Sequence, residues 1–325
     1  MPTALGRGHC GGHITLFFTI EDFLDDPVAQ GSRGAGICLK DGVEAIAKGE
    51  DGEGKLIVRF QGGDYPSAMY GDVLEELVDE VPEIGSFDWE LNIRMALPAS
   101  QGFGMSASGA IASAISFQRA IGIPHEECLR RAFLIAHIVE RKRSSGLGDT
   151  TALSSGGVER RISAGSPFSG GLLDRGPGVS EGWATETPVL LVWKERTGKH
   201  TSKYIDNPDW RIKISDAGES AMGKIGVGDW DSRRWSELID QSLIFASDSG
   251  LEFDASRSEI IVAANEAIRE SSFSERLSAM LCMLGESVVI VPNDSLDEGK
   301  WVSELSSFFE GSEFLTFSSR IGSLR

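Results

Sequence analysis

Residues 105–120 read MSASGAIASAISFQRA, a run whose side chains are mostly those of Ala, Ser and Gly. The apolar spacing predicts a helix over 107–121. A helix with so little bulk has to pack closely on its neighbours, and this is the strongest constraint the sequence places on the fold. Its approach, PASQGFG (98–104), sets a proline and two glycines before the first turn. Two explanations stay open: tight packing alone, or a ligand that must come close to the backbone there.

Strands and helices alternate on either side. HITLFFTI (13–20) and GICLKDGVEAIAK (36–48) are rich in β-branched and aromatic residues, with Asp41-Gly42 expected as a hairpin turn inside the second. KLIVRF (55–60) and FDWELNI (87–93) have strand character, 67–81 has helical spacing, and 125–141 is a helix ending in the basic turn Arg141, Lys142, Arg143, which is either a solvated end that suits the dipole or a direct anion site. The stretch 144–171 is expected as loop, short helix and a strand near 158–162. Polar, glycine-rich residues 165–182 mark a boundary between two domains, 1–175 and 176–325. In the second half, strands are expected at 187–193, 286–291 and 313–317, and helices near 208–225, 232–248, 256–269, 274–284 and 297–309.

Composition narrows the function. The chain has 325 residues, 41% apolar and 25% charged, enough for one large or two medium soluble domains. With 49 acidic and 31 basic residues its formal charge is −18, which disfavours nucleic acid and anionic membranes as partners and leaves a small anionic substrate in a local cleft. Cys10, Cys38, Cys128 and Cys282 are scattered with no zinc spacing, as expected of thiols in a reducing cytosol. No signal peptide and no apolar run of membrane-spanning length is found, so a cytoplasmic protein is expected.

Three segments carry candidate chemistry. In QGFGMSASG (101–109), Gly102 and Gly104 precede a helix start whose unpaired N–H groups and dipole suit phosphate, with Ser106 and Ser108 adding hydroxyls. It is neither a P-loop nor a dinucleotide fingerprint, because no Lys-Ser/Thr pair follows and the third glycine is misplaced. In SSGLGDTT (144–151), Asp149 either caps the next helix or takes a proton from a substrate hydroxyl during phosphoryl transfer. Glu140, with His137 three residues back, is either a packed pair with it or a Mg²⁺ ligand. In DPVAQGSRGAG (26–36), Arg33 sits on a glycine-bracketed loop and offers a fork for a carboxylate, or is an incidental charge.

Together these segments resemble the GHMP kinase superfamily. PASQGFGMSASG is similar to its phosphate-binding motif PxxxGLGSSAA, GGHITLFF (11–18) falls where the family has its N-terminal strand motif, and GLGD (146–149) where it has its aspartate loop. GSRGAG, FASDSGL (245–251) and the stretch ending GESV (285–288) are most similar to the archaeal branch whose acceptor is pantoate. The resemblance implies an α+β protein, with a ribosomal protein S5 domain 2-like N-terminal domain and a ferredoxin-like C-terminal domain. It implies ATP and Mg²⁺, with phosphates over Gly102, Phe103, Gly104, Met105, Ser106, Ala107, Ser108 and Gly109. Asp149 would act on the acceptor hydroxyl, Ser106 and Glu140 would meet the metal, and His13, Thr15, Ser32, Arg33 and Gly148 would face a small hydroxy acid. The chain departs from the pattern in three places. Met105 replaces a serine, His13 stands where mevalonate kinases carry lysine, and the C-terminal glycine motif shrinks to Met283-Leu284-Gly285. Other acceptors of the mevalonate, phosphomevalonate or homoserine type, a nucleotide-binding regulator without turnover, and a homodimer all remain open.

Overall fold

The computed structural model describes residues 4–63, 65–194 and 207–322. Two long strands, β1 (Ala4–Phe18) and β2 (Gly34–Asp51), pair antiparallel along most of their length. The hairpin expected at Asp41-Gly42 does not form. Gly42 lies mid-strand opposite Gly11, and a Cβ on it would collide with the Cys10 carbonyl, so this glycine serves close strand approach and not a turn. β1 also begins well before the expected residue 13, through a stretch rich in glycine.

The other edge of β2 is shared. Its C-terminal half pairs with β4 (Phe87–Met95) and its first residues with β5 (Val158–Ser163). The edge strand β3 (Leu56–Gln61) runs parallel to β4 and reaches it through α1 (Ala68–Glu80), which buries Tyr70, Val73, Leu74 and Leu77 at helical spacing. Beyond a short ladder of β6 (Phe168–Ser169) with β7 (Asp174–Arg175), β8 (Val179–Trp183) returns to pair with β5. The first sheet therefore extends to Trp183, past the division expected at 175/176, because residues 164–178 are the connection to its last strand.

On this sheet lie α2 (Met105–Ala120) and the short α4 (Asp149–Ser155), while α3 (His125–Lys142) packs on α2. The small residues of α2 have the structural role the sequence demands. Gly6 and Gly8 of β1 lie so close that a Cβ on either would collide with the Ser116 or Ala112 carbonyl.

The second sheet has the order β10-β11-β9-β12, all antiparallel: β9 (Pro188–Lys194), β10 (Leu277–Leu281), β11 (Ser287–Pro292) and β12 (Phe314–Arg320). The helix expected over 274–284 is corrected here. LSAML is a buried strand in a hairpin with β11, and a short apolar run has no periodicity that tells helix from strand. Its helices are α5 (Pro208–Ile225), α6 (Trp235–Asp248), α7 (Ala255–Glu270) and α8 (Val302–Phe308), the last starting later than the expected 297. An antiparallel four-stranded sheet with helices is the layer expected of a ferredoxin-like unit, and the whole is α+β. Among the described residues no helix is long and apolar enough to cross a membrane.

The halves share one core. Phe103 packs edge-on against Trp193 with ring centroids 5.7 Å apart, and Phe18 against Phe245 at 5.7 Å. The Met283 amide donates to the Thr15 carbonyl at 3.1 Å, and Ser287 Oγ donates to the Gln101 carbonyl. The turn after β10 is thereby fastened to the loop before α2.

Candidate functional site

That loop forms one wall of a cleft. Gly104 caps α2 with φ +67°, and a Cβ on it would press at 3.0 Å on both the backbone N and O of His13. Gly102, at φ +83°, is similarly hemmed by Cys282 and Gly285. No side chain caps α2, so its first-turn amides keep their hydrogen-bonding capacity for a ligand. Gly102, Phe103, Gly104, Met105 and Ser106 all line a cleft of about 290 Å³. Bare amides at a helix start form an anion site, so the cradle fits a nucleotide's phosphates.

Ala107, Ser108 and Gly109 do not line the cleft, although the Ala107 amide belongs to the same first turn. Ser108 is fully buried, its Oγ donates to the Cys10 carbonyl at 2.7 Å and accepts from the Val43 amide at 3.2 Å, and its own amide bonds the Gly104 carbonyl. Ala107 and Gly109 face the core likewise, Gly109 against Tyr70. Two residues apart on a helix, the serines point to opposite faces: Ser106 to the cleft, Ser108 to the sheet.

Ser106 Oγ donates to the Glu140 carboxylate, which also accepts from Ser145 Oγ at 2.7 Å. Glu140 projects from the last turn of α3 and is 3% exposed. Burial first, and then the neighbouring Asp149 charge, push its pKa up to about 7. Gly146 separates the two carboxylates: a Cβ there would collide with Glu140 Oε2 and come within 3.1 Å of Asp149 Oδ2. A hydroxyl beside a poorly compensated carboxylate suits a hard cation completed by phosphate oxygens, so the donor set fits Mg²⁺. Among the described residues no group of three His, Cys, Asp or Glu could hold a metal unaided.

Asp149 begins α4 and is not a side-chain cap. Its Oδ1 accepts from His13 Nδ1 at 2.5 Å, and His13 Nε2 donates to Glu159 Oε1 at 3.0 Å, which in turn accepts from Arg161 Nη1 at 2.9 Å. Burial opposes charge on both members of the His13–Asp149 pair, but the hydrogen bonds prevail. The His13 pKa is raised by its two carboxylates and that of Asp149 is lowered by His13, giving an imidazolium–carboxylate pair. His13 is fully buried and does not line the cleft, so it acts on Asp149 and not on substrate, contrary to the sequence expectation. A register shift after Gly11 aims the ring, and Gly36 on β2 makes room for it.

Thr15, Ser32 and Gly148 do line the cleft, next to Asp149. Arg33 does not. Its Nε donates to Glu21 at 2.6 Å and its Nη2 pairs with Glu219 on α5, so it ties the loop to the second half and is no carboxylate clamp. His137 is structural too: Nε2 donates to the Pro27 and Gln30 carbonyls at 3.0 Å and Nδ1 accepts from Thr150 Oγ1. Burial pushes its pKa down to about 4. Phe60, Tyr65, Pro66, Met69, Tyr70 and Met95 form the apolar part of the cleft.

Sequence reasoning passed over Glu159 and Arg161, and it weighed Arg143 only as one of a basic cluster. Glu159 and Arg161 alternate along VERRIS on the inward face of β5, and charges on a buried strand face were the available signal. Arg161 lies behind Ser32 and Gly148, with Nε and Nη2 lacking hydrogen-bond partners. Arg143 looks like dipole decoration at a helix end, yet it lines the cleft.

Residues 64–157 match the family described as GHMP kinases N terminal domain. Over that segment this chain is similar to GHMP kinases, and its fold is shared over 98% of its length by a solved homoserine kinase from Cytophaga hutchinsonii, with TM-score 0.60 at 12% identity. Its similar relatives include the pantoate kinase of Thermococcus kodakarensis, 33% identical over 171 residues, or 50% of this chain and 54% of that protein. The pantoate kinase of Methanospirillum hungatei is 31% identical over 165 residues, covering 48% and 52%. The alignments thus span about half the length of these relatives. A solved structure described as a phosphotransferase related to the CoA biosynthesis pathway superposes with TM-score 0.75 at 25% identity, over 99% of this chain and 97% of that one.

Proposed function

We infer that this protein is a cytoplasmic, ATP- and Mg²⁺-dependent kinase that phosphorylates the primary hydroxyl of pantoate to give 4-phosphopantoate for coenzyme A synthesis. One observation carries the reading: the bare helix start at Gly104, the Ser106–Glu140 pair and the His13–Asp149 pair all meet at one cleft. The similarity to pantoate kinases supports the choice of acceptor.

In this reading the first-turn amides of α2 and the backbone of Gly102–Ser106 hold the nucleotide's phosphates. The apolar side chains around Tyr65 and Met69 cover its base. Mg²⁺, held by Ser106 and Glu140 together with phosphate oxygens, would neutralise charge on the transferring group. Asp149, kept ionised by His13, accepts the proton of the acceptor hydroxyl as that oxygen attacks the γ-phosphorus and ADP leaves. Thr15, Ser32 and Gly148 form the acceptor wall, and the Arg161 charge behind them favours the carboxylate of pantoate. Most of the acceleration comes from positioning and charge, as phosphoryl transfer requires.

The test is ADP release with pantoate, mevalonate, mevalonate phosphates and homoserine, the product being identified by phosphorus NMR. Turnover confined to pantoate supports the reading. Turnover with another acceptor replaces pantoate, and ATP binding with no turnover on any acceptor overturns catalysis.

A further inference from the structure

A triphosphate entering this cleft meets two carboxylates, Glu140 and Asp149, in a protein of formal charge −18. Among the described residues that line the cleft, Arg143 is the one cationic side chain. The three basic residues at the end of α3 diverge. Arg141 is buried and donates to the Gly146 carbonyl at 2.8 Å and to Gln30 Oε1 at 3.1 Å, and Lys142 pairs with Glu76 outside the cleft. Arg143 alone turns toward the site, where its Nη1 donates to Asp72 Oδ2 at 2.5 Å. Asp72 stands on α1 outside the lining, and the two side chains are 42% and 35% exposed. Such a solvated pair is held weakly and exchanges readily for a stronger anion.

We propose that Arg143 is a phosphate-binding residue for the nucleotide, and that Asp72 holds its guanidinium at the cleft until the nucleotide displaces that contact. This rests on the nucleotide half of the reading above. A planar fork of N–H donors matches phosphate oxygens, and its fixed charge offsets the repulsion between the triphosphate and the two carboxylates. Asp72 then competes with phosphate for the same guanidinium, so the two partners of one ion pair have opposite effects on nucleotide affinity.

The experiment measures the Kd for an ATP analogue with Mg²⁺, and the KM for ATP and for acceptor, in the wild type and in Arg143→Ala, Arg143→Lys and Asp72→Asn. Arg143→Ala should weaken the nucleotide on the order of tenfold or more, Arg143→Lys less, and neither should change the acceptor KM by more than about twofold. Asp72→Asn should tighten the nucleotide by up to about fivefold. A bridge that serves only to brace α1 against α3 would make Arg143→Ala and Asp72→Asn change affinity in the same direction, and that result overturns the proposal. Should Arg143→Ala fail to fold, Arg143→Lys and Asp72→Asn still carry the contrast. A wild type that binds no nucleotide removes both the proposal and the reading beneath it. A wild type that binds ATP but phosphorylates a different acceptor removes pantoate alone, since Arg143 is read from nucleotide affinity.

Discussion

His13 and Asp149 fix each other's charge, and two predictions concern single groups of this kind. Asp149 is held below its ordinary pKa against the effect of burial, so the acid limb of kcat/KM should lie low. Replacing His13 by Asn removes the imidazolium charge and its hydrogen bond, leaving burial opposed by the Arg161 charge, the smallest of the effects that lower this pKa. The limb should then move to higher pH and kcat fall on the order of tenfold or more, while Asp149→Ala should cost about 10²-fold or more. A pH–rate profile of His13→Asn that overlays the wild type would remove the positioning role. The same pair links stability to pH. His13, with its raised pKa, contributes fully below the ordinary histidine value, and this is lost as pH rises through its folded pKa. Asp149, with its lowered pKa, contributes above the ordinary aspartate value, and this is lost as pH falls through its folded pKa. Glu140 has the opposite sign from Asp149. With a pKa of about 7 it holds a proton in the folded chain over a range where the unfolded chain has lost it, so its ionisation subtracts stability as pH rises toward neutrality. Mg²⁺ must displace that proton at pH 6 and finds a bare carboxylate at pH 8. Thermal shifts should therefore show Mg²⁺ stabilising more at pH 8 than at pH 6, with the difference abolished in Glu140→Gln.

At the scale of elements, α2 is a packing helix and, in the proposed reading, a ligand-binding terminus, and its two serines separate these roles. Ser108→Ala leaves the Cys10 carbonyl and Val43 amide without their buried partner and should cost about 1–3 kcal/mol in denaturant unfolding, with the KM for ATP unchanged. Ser106→Ala should do the reverse, losing turnover with a melting temperature close to wild type. If Ser108→Ala weakens ATP while leaving stability intact, the assignment of faces is wrong. Both serines were visible in the sequence as equal candidates, because their spacing fixes a helix start but not which hydroxyl points where. The elements that were hard to read failed for physical reasons of the same kind. Gly42 looks like a turn until Gly11 is placed across from it, and LSAML at 277–281 shows neither period until β11 pairs with it. Asp149 and the glycine loop were legible because their chemistry is local in sequence. Glu159 was not, because it matters only through His13, 146 residues away along the chain, and Arg161 was not, because the wall it backs, Ser32 and Gly148, comes from two separate loops.

For the whole molecule, the decisive fact is that the glycine loop belongs to both halves. Phe103 packs on Trp193, Gly102 approaches Gly285, and Ser287 holds the Gln101 carbonyl, so residues beyond 183 shape the backbone on which the phosphates would rest. The chain end closes the same circuit: the Gly322 amide donates to the Cys38 carbonyl at 3.0 Å, and the Gly157 amide to the Gly322 carbonyl at 2.9 Å. A fragment of residues 1–183 would keep all six strands of the first sheet. It would also uncover Phe17, Phe18 and Phe103, each at most 3% exposed in the full chain. Losing that burial removes roughly 1.5–3 kcal/mol for each large apolar side chain, a sum comparable to the whole stability of a domain. The full chain should accordingly unfold in one calorimetric transition whose van't Hoff and calorimetric enthalpies agree. The fragment should lack a dispersed NMR spectrum and bind no ATP analogue. Two resolved transitions, or a folded fragment that still binds the analogue, would mean that the loop is shaped by the first sheet alone and that the second half only covers it.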